Sequence, residues 1–367
     1  MYVQKLKKLV EEKKRNNQKL RIVGPCSAES PQQIYQTAMA LKRNDLLDMY
    51  RVGVWKPRTR PNTFEGMGND ALPVLQELQE QHDISVTVEV GTPQHVESAL
   101  KYGIRNFWIG ARTSVSSFAV QQIIDAIGIE DVTVMIKNPI SGCKSSFQGA
   151  VERFLINGIE DLGLILRGRY SLHENILRFG PQYSMVHTMR AAFPGIPIII
   201  DPSHIAGKRQ YIQQILSDFM QLDVDGLMIE SHIAPEFAKT DKKQQLSIDE
   251  TIKMFKGLEV APPQQLSKLD RLRLDIQELD QEILSVLARR MEIVEAIGHQ
   301  KQDMDLPSFE QGRYHAHRNH LMRYGKKMGI DPQFTRRMYD LFHHHSVSRQ
   351  NEMILNDNVQ APRRKRS

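Results

Sequence analysis

The sequence has few cysteines and no long apolar run, and each shortage excludes a class of protein. Two cysteines are too few for a disulfide framework and suit a reducing cytoplasm. No apolar stretch approaches the roughly 18 residues that a membrane span needs. The charged N-terminus lacks the apolar centre of a signal peptide, so we expect a cytoplasmic protein that has no membrane partner.

A strong charge imbalance is also absent, because the net charge is only +6. Such a charge fits nucleic acid, but it fits a few basic pockets for anionic metabolites equally well. No nucleic-acid motif is found, and the basic C-terminal end, 356–367, has the composition of a solvated tail. We therefore expect small anionic partners and no nucleic acid.

Short β-branched apolar runs alternate with helical stretches over residues 19–258. Eight such runs, each followed by a helical segment, are typical of an α/β protein with a (β/α)8 TIM barrel. Residues 1–18 read as a short helical extension before the barrel. The predicted strands are Leu20–Pro25, Tyr50–Trp55, Ser85–Glu89, Asn106–Gly110, Val132–Lys137, Leu162–Arg167, Ile196–Asp201 and Gly226–Glu230.

The strand ends carry an unusual set of side chains. Nearly every run finishes with a charged residue or a cysteine, and in a barrel the carboxyl ends of all strands meet at one mouth. Charges could simply mark strand ends, but cations and metal-ligand types predominate. The residues are Cys26, Lys56, Glu89, Arg112, Lys137, Arg167, His204 and Glu230.

The sequence pattern changes after a proline- and glutamine-rich linker at 259–268, because alternating strands and helices are no longer predicted. Beyond it only helical patterns are found, over 269–301, 309–328 and 331–353, which predicts a small all-α domain of three helices at 269–355. The first helix has an apolar stripe too long to bury in a short hairpin, so we expect a homodimer, possibly a tetramer. The stripe consists of Leu272, Ile276, Leu279, Ile283, Val286, Val294 and Ile297.

Two groups of side chains at the predicted mouth indicate chemistry. Cys26, His204, Glu230 and Asp241 form a mixed set of ligand types suited to one divalent cation, such as manganese, iron, cobalt or zinc. The cations Arg51, Lys56, Arg58, Arg112, Lys137 and Arg167 indicate two phosphorylated anionic substrates. Arg51 and Lys56 are five residues apart, so on one continuous strand their side chains would point to opposite sides. This spacing favours a loop above the strand as the position of Lys56 and Arg58.

These residues lie in motifs whose order resembles 3-deoxy-D-arabino-heptulosonate 7-phosphate (DAHP) synthases. The motifs are Gly-Pro-Cys-Ser-Ala-Glu, Lys-Pro-Arg-Thr, Gly-Ala-Arg-Thr, Ile-Lys-Asn, Leu-Arg-Gly, Asp-Pro-Ser-His and Ile-Glu-Ser-His, within 21–255. The subtype is the one close to octulosonate 8-phosphate synthases, which typically have an asparagine-containing loop in place of Lys-Pro-Arg-Thr. An octulosonate synthase is therefore the rival within the barrel.

The resemblance implies condensation of phosphoenolpyruvate (PEP) with erythrose 4-phosphate. It implies metal ligation by the four mixed ligands named above and a role for Glu89 in positioning water. Arg58 and Thr59 are implied to bind the phosphate of erythrose 4-phosphate. The implied PEP site consists of Arg51, Lys56, Arg112, Lys137 and Arg167.

The first C-terminal helix has cations where its apolar face should continue. Arg290 and Lys301 are 11 residues apart and so align within about 20° on a helix. An inward-facing cation pair is costly unless an anion meets it. Arg273 flanks the stripe and more easily serves a pocket on a partner chain. The alternative is that these cations pair with Glu282 or Glu295.

The helical segment contains Leu287-Ala288-Arg289-Arg290 and Ile297-Gly298-His299-Gln300-Lys301, followed by Arg313, Ser346 and Gln350. With these motifs, 272–350 resembles the all-α chorismate mutases. The resemblance implies that chorismate is rearranged to prephenate. Because a second enzyme of the same pathway is fused to the barrel, we also expect that prephenate or chorismate bound at the helical domain feeds back on the barrel. Tyr314 departs from the family, because many relatives have there a glutamate that contacts the chorismate hydroxyl. We expect His343-His344-His345 to form a solvated or interface surface. The implied site residues are Arg273 from the partner subunit, Arg290, Lys301, Glu310, Arg313, Ser346 and Gln350.

Two further hypotheses of other classes remain. In one, the helical domain is a dimerisation and ligand-sensing module without catalysis, which the departure at Tyr314 favours. In the other, its positive charge binds nucleic acid.

Overall fold

A computed structural model describes residues 5–56, 62–170, 177–258 and 267–360. The chain divides into two compact units, Met1–Asp280 and Gln281–Ser367. This division lies inside a helix, because Leu274 packs against the core of the first unit. The predicted boundary is the linker at 259–268, of which 259–266 lies outside the described residues.

The first unit contains a closed barrel of eight parallel strands in sequence order, which confirms the predicted fold. The strands are β1 (Leu20–Gly24), β2 (Met49–Val52), β3 (Val86–Val90), β4 (Asn106–Ile109), β5 (Thr133–Lys137), β6 (Leu162–Leu166), β7 (Ile198–Ile200) and β8 (Gly226–Glu230). The barrel closes where β1 pairs with β8, with Gly24 opposite Glu230.

Helices surround the strands. They are α1 (Leu6–Arg15), α2 (Pro31–Arg43), α3 (Leu72–His82), α4 (Pro93–Lys101), α5 (Ser117–Ile127), α6 (Lys144–Ile156), α7 (Tyr183–Ala192), α8 (Pro202–Ala206), α9 (Ile212–Met220) and α10 (Ile248–Lys256). Their starts follow local sequence signals: Ser30, Thr92 and Ser116 each accept a hydrogen bond from a backbone N–H of the helix that follows.

The short N-terminal helix closes one end of the barrel. Leu6, Leu9 and Val10 of α1 belong to the interior cluster that also contains Trp108 and Met228. Gly163 on β6 leaves room for this plug, since a Cβ there would lie 2.6 Å from a methyl carbon of Leu6. Burial of such side chains stabilises the fold by about 1.5–3 kcal/mol each. The opposite end, where the strands finish, is not covered by α1.

Three long helices follow the linker, as predicted. They are α11 (Lys268–Asp303), α12 (Gln311–Lys327) and α13 (Pro332–Gln360). The last helix continues to Gln360, five residues beyond the predicted end of the domain at 355. None of the helices in the described residues is long and apolar enough to cross a lipid bilayer.

The apolar stripe of α11 divides into two parts. Its later members, Val294 and Ile297, are buried or half-buried and line a pocket. The earlier members are exposed, each by about half of its surface: Leu272, Ile276, Leu279, Ile283 and Val286.

Candidate active sites

Three of the four predicted metal ligands converge at the open end of the barrel. One ligand atom from each of Cys26, Glu230 and Asp241 lies within 4.8 Å of the other two. Cys26 follows β1, Glu230 ends the neighbouring β8, and Asp241 lies in the loop after β8. The Cys26 thiol donates a hydrogen bond to Asp241 Oδ2 at 3.4 Å.

The fourth predicted ligand, His204, lies beside this group but is not part of the 4.8 Å cluster. Its Nε2 is 3.7 Å from Glu230 Oε1, and its Nδ1 is 2.8 Å from Asp201 Oδ2. With a carboxylate beside Nδ1, Nε2 is the nitrogen that could bind a metal ion, and a carboxylate near the other nitrogen is usual around metal-bound histidine. The donor set of one sulfur, one imidazole and two carboxylates fits a divalent transition metal.

The loop after β8 is held against the loop after β1 by buried glutamines. Gln245 Oε1 accepts a hydrogen bond from the Cys26 backbone N–H at 2.8 Å, and Gln244 Nε2 donates to Glu230 Oε2 at 2.7 Å. Asp241 has a positive φ of 43°, a conformation that is costly for most side chains and that clusters at functional sites. The ligands are therefore fixed by the surrounding fold.

The protonation states of the ligands differ sharply. Burial, together with the nearby Glu230, raises the pKa of the Cys26 thiol to about 12. Burial alone would raise the pKa of Asp241 as well, but Arg178 at 3.1 Å, His204 and Lys56 hold it below its ordinary value. A cation that binds here therefore meets ionised carboxylates and displaces the thiol proton.

Two buried cations lie inside the barrel near these ligands. Arg51 on β2 donates to Glu230 Oε1 at 3.1 Å, and Lys137 at the end of β5 pairs with Asp201 Oδ2 at 2.8 Å. Both cations lie over the buried Trp108 ring, at 5.3 and 5.7 Å from its centre. Burial lowers the pKa of Lys137, and Asp201 opposes this effect.

Two arginines of this site have buried guanidinium donors without a hydrogen-bond partner within the described residues. The atoms are Nε and Nη1 of Arg51 and Nη1 of Arg167. Arg167 lies over the Phe179 ring at 3.6 Å, and burial, Arg178 and Arg112 together lower its pKa to about 10. Buried donors without partners are costly, so this arrangement indicates an anionic ligand.

Two glycines make room for functional side chains. A Cβ at Gly53 would lie 2.4 Å from Cε of Lys56, which follows the end of β2 as predicted. A Cβ at Gly110 would lie 2.1 Å from Oε1 of Glu89 on β3. Burial lowers the pKa of Lys56, but Cys26, Glu89 and Glu230 more than compensate, so the net shift is upward.

Three residues of this site are missing from the sequence prediction. Asp201 joins His204 to Lys137, Gln244 supports Glu230, and Arg178 pairs with Asp241. Only Asp201 had a usable signal, as the first residue of the Asp-Pro-Ser-His motif. Arg58 and Thr59, predicted to bind erythrose 4-phosphate, lie outside the described residues, and Arg112 lies exposed on the turn after β4.

A second pocket, of about 510 Å³, lies within the helical unit. Six of the seven predicted mutase residues line it: Arg290, Lys301, Glu310, Arg313, Ser346 and Gln350. The seventh, Arg273, lies in the first compact unit, has an exposed side chain and pairs with Asp270 at 3.2 Å.

Hydrogen bonds between α11 and α13 hold polar side chains of the pocket in place. Arg290 on α11 donates to Ser346 Oγ on α13 at 2.6 Å, and Gln350 Nε2 donates to the Val294 carbonyl at 3.1 Å. Gly298 permits this close approach, since a Cβ there would lie 3.2 Å from Gln350 Cγ. Lys301 pairs with Glu310 at 2.8 Å. Of the two glutamates considered as alternative partners for these cations, Glu295 pairs with Arg349.

Aromatic and histidine side chains complete the pocket. Tyr314 donates to Asp340 Oδ1 at 2.6 Å, and its ring centre is 4.6 Å from that of His343. The expectation that all three consecutive histidines form a solvated or interface surface is wrong for His343, which lines the pocket. His344 and His345 are exposed. Successive helix positions face different directions, so only one of the three turns inward.

Comparisons with known families agree with this division. Residues 7–260 match the DAHP synthetase I family, and residues 272–351 match chorismate mutase type II. A phospho-2-dehydro-3-deoxyheptonate aldolase of Thermotoga maritima is 27% identical over 237 residues, which cover 65% of this chain and 67% of the relative. A 2-dehydro-3-deoxyphosphooctonate aldolase of Prochlorococcus marinus is 23% identical over 56% of this chain and 78% of that relative.

Solved structures agree on the fold of the barrel. The crystal structure of the Thermotoga maritima aldolase, described as a DAHP synthase, superposes with a TM-score of 0.58 at 27% identity and covers 65% of this chain and 68% of that one. A truncated form of a Thermotoga maritima DAHP synthase gives a TM-score of 0.56 at 24% identity and covers 65% of this chain and 85% of that one.

Proposed function

The chain belongs to the DAHP synthetase I family and carries a chorismate mutase type II domain, and we propose that it is an enzyme with two activities. The barrel condenses PEP with erythrose 4-phosphate to give DAHP and phosphate. The helical domain rearranges chorismate to prephenate. The observation that carries the first assignment is the set of buried guanidinium donors of Arg51 and Arg167 beside a cluster of metal-ligand side chains.

Cys26, His204, Glu230 and Asp241 would hold one divalent cation; manganese, iron, cobalt and zinc all suit these donors. When bound, the cation supplies a Lewis acid that polarises the aldehyde oxygen of erythrose 4-phosphate. Gln244 and Arg51 each occupy one oxygen of Glu230, so this carboxylate is oriented before a ligand arrives. Such supporting contacts typically contribute about 10- to 100-fold in metal affinity.

The cations account for the binding of PEP. Arg51, Lys56, Arg112, Lys137 and Arg167 are proposed to bind its carboxylate and phosphate, and Arg58 with Thr59 the phosphate of erythrose 4-phosphate. Lys137 and Arg51 lie in a buried, low-dielectric interior, where an anion is attracted more strongly than in water. Holding two anions that otherwise repel each other is itself a large part of the catalysis.

The bond changes then follow from the aligned substrates. The enol carbon of PEP attacks the aldehyde carbon, which leaves a cationic centre at the carbon that bears the phosphate. Water adds to that centre, and phosphate leaves by cleavage of its carbon–oxygen bond. We propose that Glu89 positions this water. Of the two protons of this water, one ends on the former aldehyde oxygen, which becomes a hydroxyl, and the other leaves with the phosphate. Lys137, whose ammonium is paired with Asp201, is proposed to assist this proton transfer.

The mutase reaction needs no covalent help from the protein. Arg290 and Arg313, with Arg273 of a second subunit, are proposed to clamp the two carboxylates of chorismate in a reactive conformation. Lys301 and Gln350 stabilise the charge that develops on the ether oxygen. The support for this proposal is the convergence of three cations, Ser346 and Gln350 on one pocket.

A cosubstrate comparison tests the barrel assignment. We expect phosphate release from PEP to be at least about 100-fold faster with erythrose 4-phosphate than with arabinose 5-phosphate, because a site that holds two anions at one fixed separation discriminates against a longer sugar. EDTA should abolish release and Mn²⁺ restore it, while prephenate formation in the same preparation continues. Equal rates with the two sugars would favour the octulosonate synthase, and activity that survives EDTA would contradict a metal site.

The exposed part of the α11 stripe supports a homodimer. Large apolar side chains along this helix, including Ile283, Val286 and Ile293, are about half exposed, an apolar surface that a second copy of the helix would cover. We expect Ile283→Glu to convert the dimer to a monomer in light scattering, because a dimer would have to bury the new charge. Gln281→Glu adds the same charge at an exposed polar position and should remain dimeric. Equal masses for the two variants would exclude this surface.

The fused pathway enzyme also suggests feedback, in which prephenate bound to the helical domain inhibits the barrel. Adding prephenate to the phosphate-release assay tests this feedback. An unchanged rate at prephenate concentrations that saturate the mutase pocket would contradict the feedback hypothesis. The alternative, a sensing domain without catalysis, requires that wild-type protein binds prephenate but forms none from chorismate.

A further inference from the structure

The three consecutive histidines on α13 have different surroundings. His344 and His345 are exposed, whereas the His343 ring is half-buried and lines the mutase pocket with Arg290, Lys301 and Ser346. An apolar residue at this inward-facing position would suit the packing of the helix, so the helical pattern does not explain why a histidine is found there. His343 is therefore the member of the triplet that calls for a functional explanation.

The charged and titratable groups that face His343 come from all three helices. Arg290 and Lys301 lie on α11, His317 on α12, and Asp340 on α13, one turn before His343 itself. Rings enclose it as well: the centres of Tyr314, Phe309 and Tyr339 lie at 4.6, 5.7 and 5.8 Å. Within the described residues its enclosed Nε2 has no hydrogen-bond partner. The imidazole thus has unused hydrogen-bonding capacity beside a cationic pocket.

The neighbouring Tyr314 does not replace the contact that related mutases make with the substrate hydroxyl. It stands where many related mutases have a glutamate that contacts the hydroxyl of the substrate. Its own hydroxyl is already engaged, since it donates to Asp340 Oδ1 at 2.6 Å and accepts from Arg318 Nη1 at 3.3 Å. Among the described pocket residues, His343 has the polar ring that lies nearest to Tyr314.

We propose that His343 contacts the substrate, and that its imidazole forms the hydrogen bond to the bound ligand that the absent glutamate forms in related mutases. The inference rests on the proposed mutase function. Unlike a carboxylate, an imidazole does not repel the two carboxylates of chorismate. It can also carry a positive charge, and so it links ligand binding to pH.

The direction of this pH dependence follows from the surroundings. Burial, then Arg290 and Lys301, lower the pKa of His343, with Asp340 opposing them. The free pocket therefore holds a neutral imidazole at neutral pH. A bound dianion offsets the two cations and raises the pKa of His343, so the ligand binds the protonated protein more tightly. Affinity for prephenate is thus expected to increase as pH falls from about 8 to about 6.

The test compares His343→Leu and His343→Gln with His344→Gln, an exposed neighbour on the same helix. We expect His343→Leu to lower kcat/KM for chorismate about 10- to 100-fold, the effect of losing one hydrogen bond to a charged or reacting ligand. His343→Gln should recover part of the activity. Both variants should lose the pH dependence of prephenate affinity in calorimetry, whereas His344→Gln should keep it.

Two results would overturn the inference. One is wild-type kcat/KM in His343→Leu; the other is an unchanged pH dependence of prephenate affinity in both His343 variants. Circular dichroism melts separate a folding defect from lost contact, and His343→Gln preserves the polar volume if the leucine variant is unstable. If the wild-type chain forms no prephenate, the proposed mutase activity fails, and the calorimetric comparison alone decides whether His343 contacts the ligand.

Discussion

Replacing Cys26 by alanine is expected to lower the rate of DAHP formation about a thousandfold while leaving chorismate mutase activity unchanged. The loss follows from the position of the thiol, which is 3.4 Å from Asp241 and within 4.8 Å of Glu230. Without it, the cation keeps only oxygen and nitrogen ligands and binds more weakly. Lewis-acid activation is typically worth several kcal/mol, and about 4 kcal/mol corresponds to roughly a thousandfold in rate.

The measurement has a natural control in the second cysteine. Cys143 is exposed and lies at the start of α6, so Cys143→Ala should match the wild type in both reactions. Calorimetry with Mn²⁺ should show weaker binding for Cys26→Ala alone. With Co²⁺ as a probe, the thiolate-to-metal absorption should be absent in Cys26→Ala and present in Cys143→Ala. An unchanged spectrum in Cys26→Ala would remove this residue from the ligand set.

The barrel was predictable because its signals are local and repeated. Each strand is a short β-branched run, and the residue types at the strand ends are visible in the sequence. The eight predicted runs differ from the observed strands by at most about three residues at either end. The plug formed by α1 was not predictable, since its role depends on Leu6 meeting Gly163, which lies far away in the chain.

The supporting residues of the barrel site were harder to find for the same reason. Gln244 has the composition of an ordinary loop residue, and its function depends on a 2.7 Å contact with Glu230 on the preceding strand. Arg178 is one of many arginines until the fold brings it to Asp241. Sequence patterns report which residues could bind a metal, whereas the contacts that orient those residues are set by tertiary structure.

At the helical site, residue spacing predicted which side chains share a helix face but not which of them point into the pocket. Spacing on α11 predicted that Arg290 and Lys301 share a face, and both line one pocket. Spacing alone could not separate His343 from its two neighbours, because the orientation of a helix in its bundle decides which of three consecutive residues turns inward.

Replacing Arg290 by alanine is expected to lower kcat/KM for chorismate about 100- to 1000-fold, because a charged hydrogen-bond partner of a substrate carboxylate is lost and the reactive conformation is no longer held. Arg290 is half-buried, and Ser346 fixes its guanidinium through a 2.6 Å hydrogen bond. The donor is thus positioned before the substrate binds, and little reorganisation is needed in the transition state. Arg290→Lys keeps the charge but loses the planar fork, so we expect an intermediate loss.

Arg289→Ala is the matched control, since Arg289 precedes Arg290 on α11 but has an exposed side chain. It removes the same charge from the same helix and should retain wild-type kcat/KM. Separating kcat from KM then distinguishes the two hypotheses for this domain. A catalytic pocket loses kcat in Arg290→Ala, because without this clamp the bound substrate is no longer held in the reactive conformation. A pocket that only senses prephenate would instead show weaker binding, with no turnover to lose in the wild type.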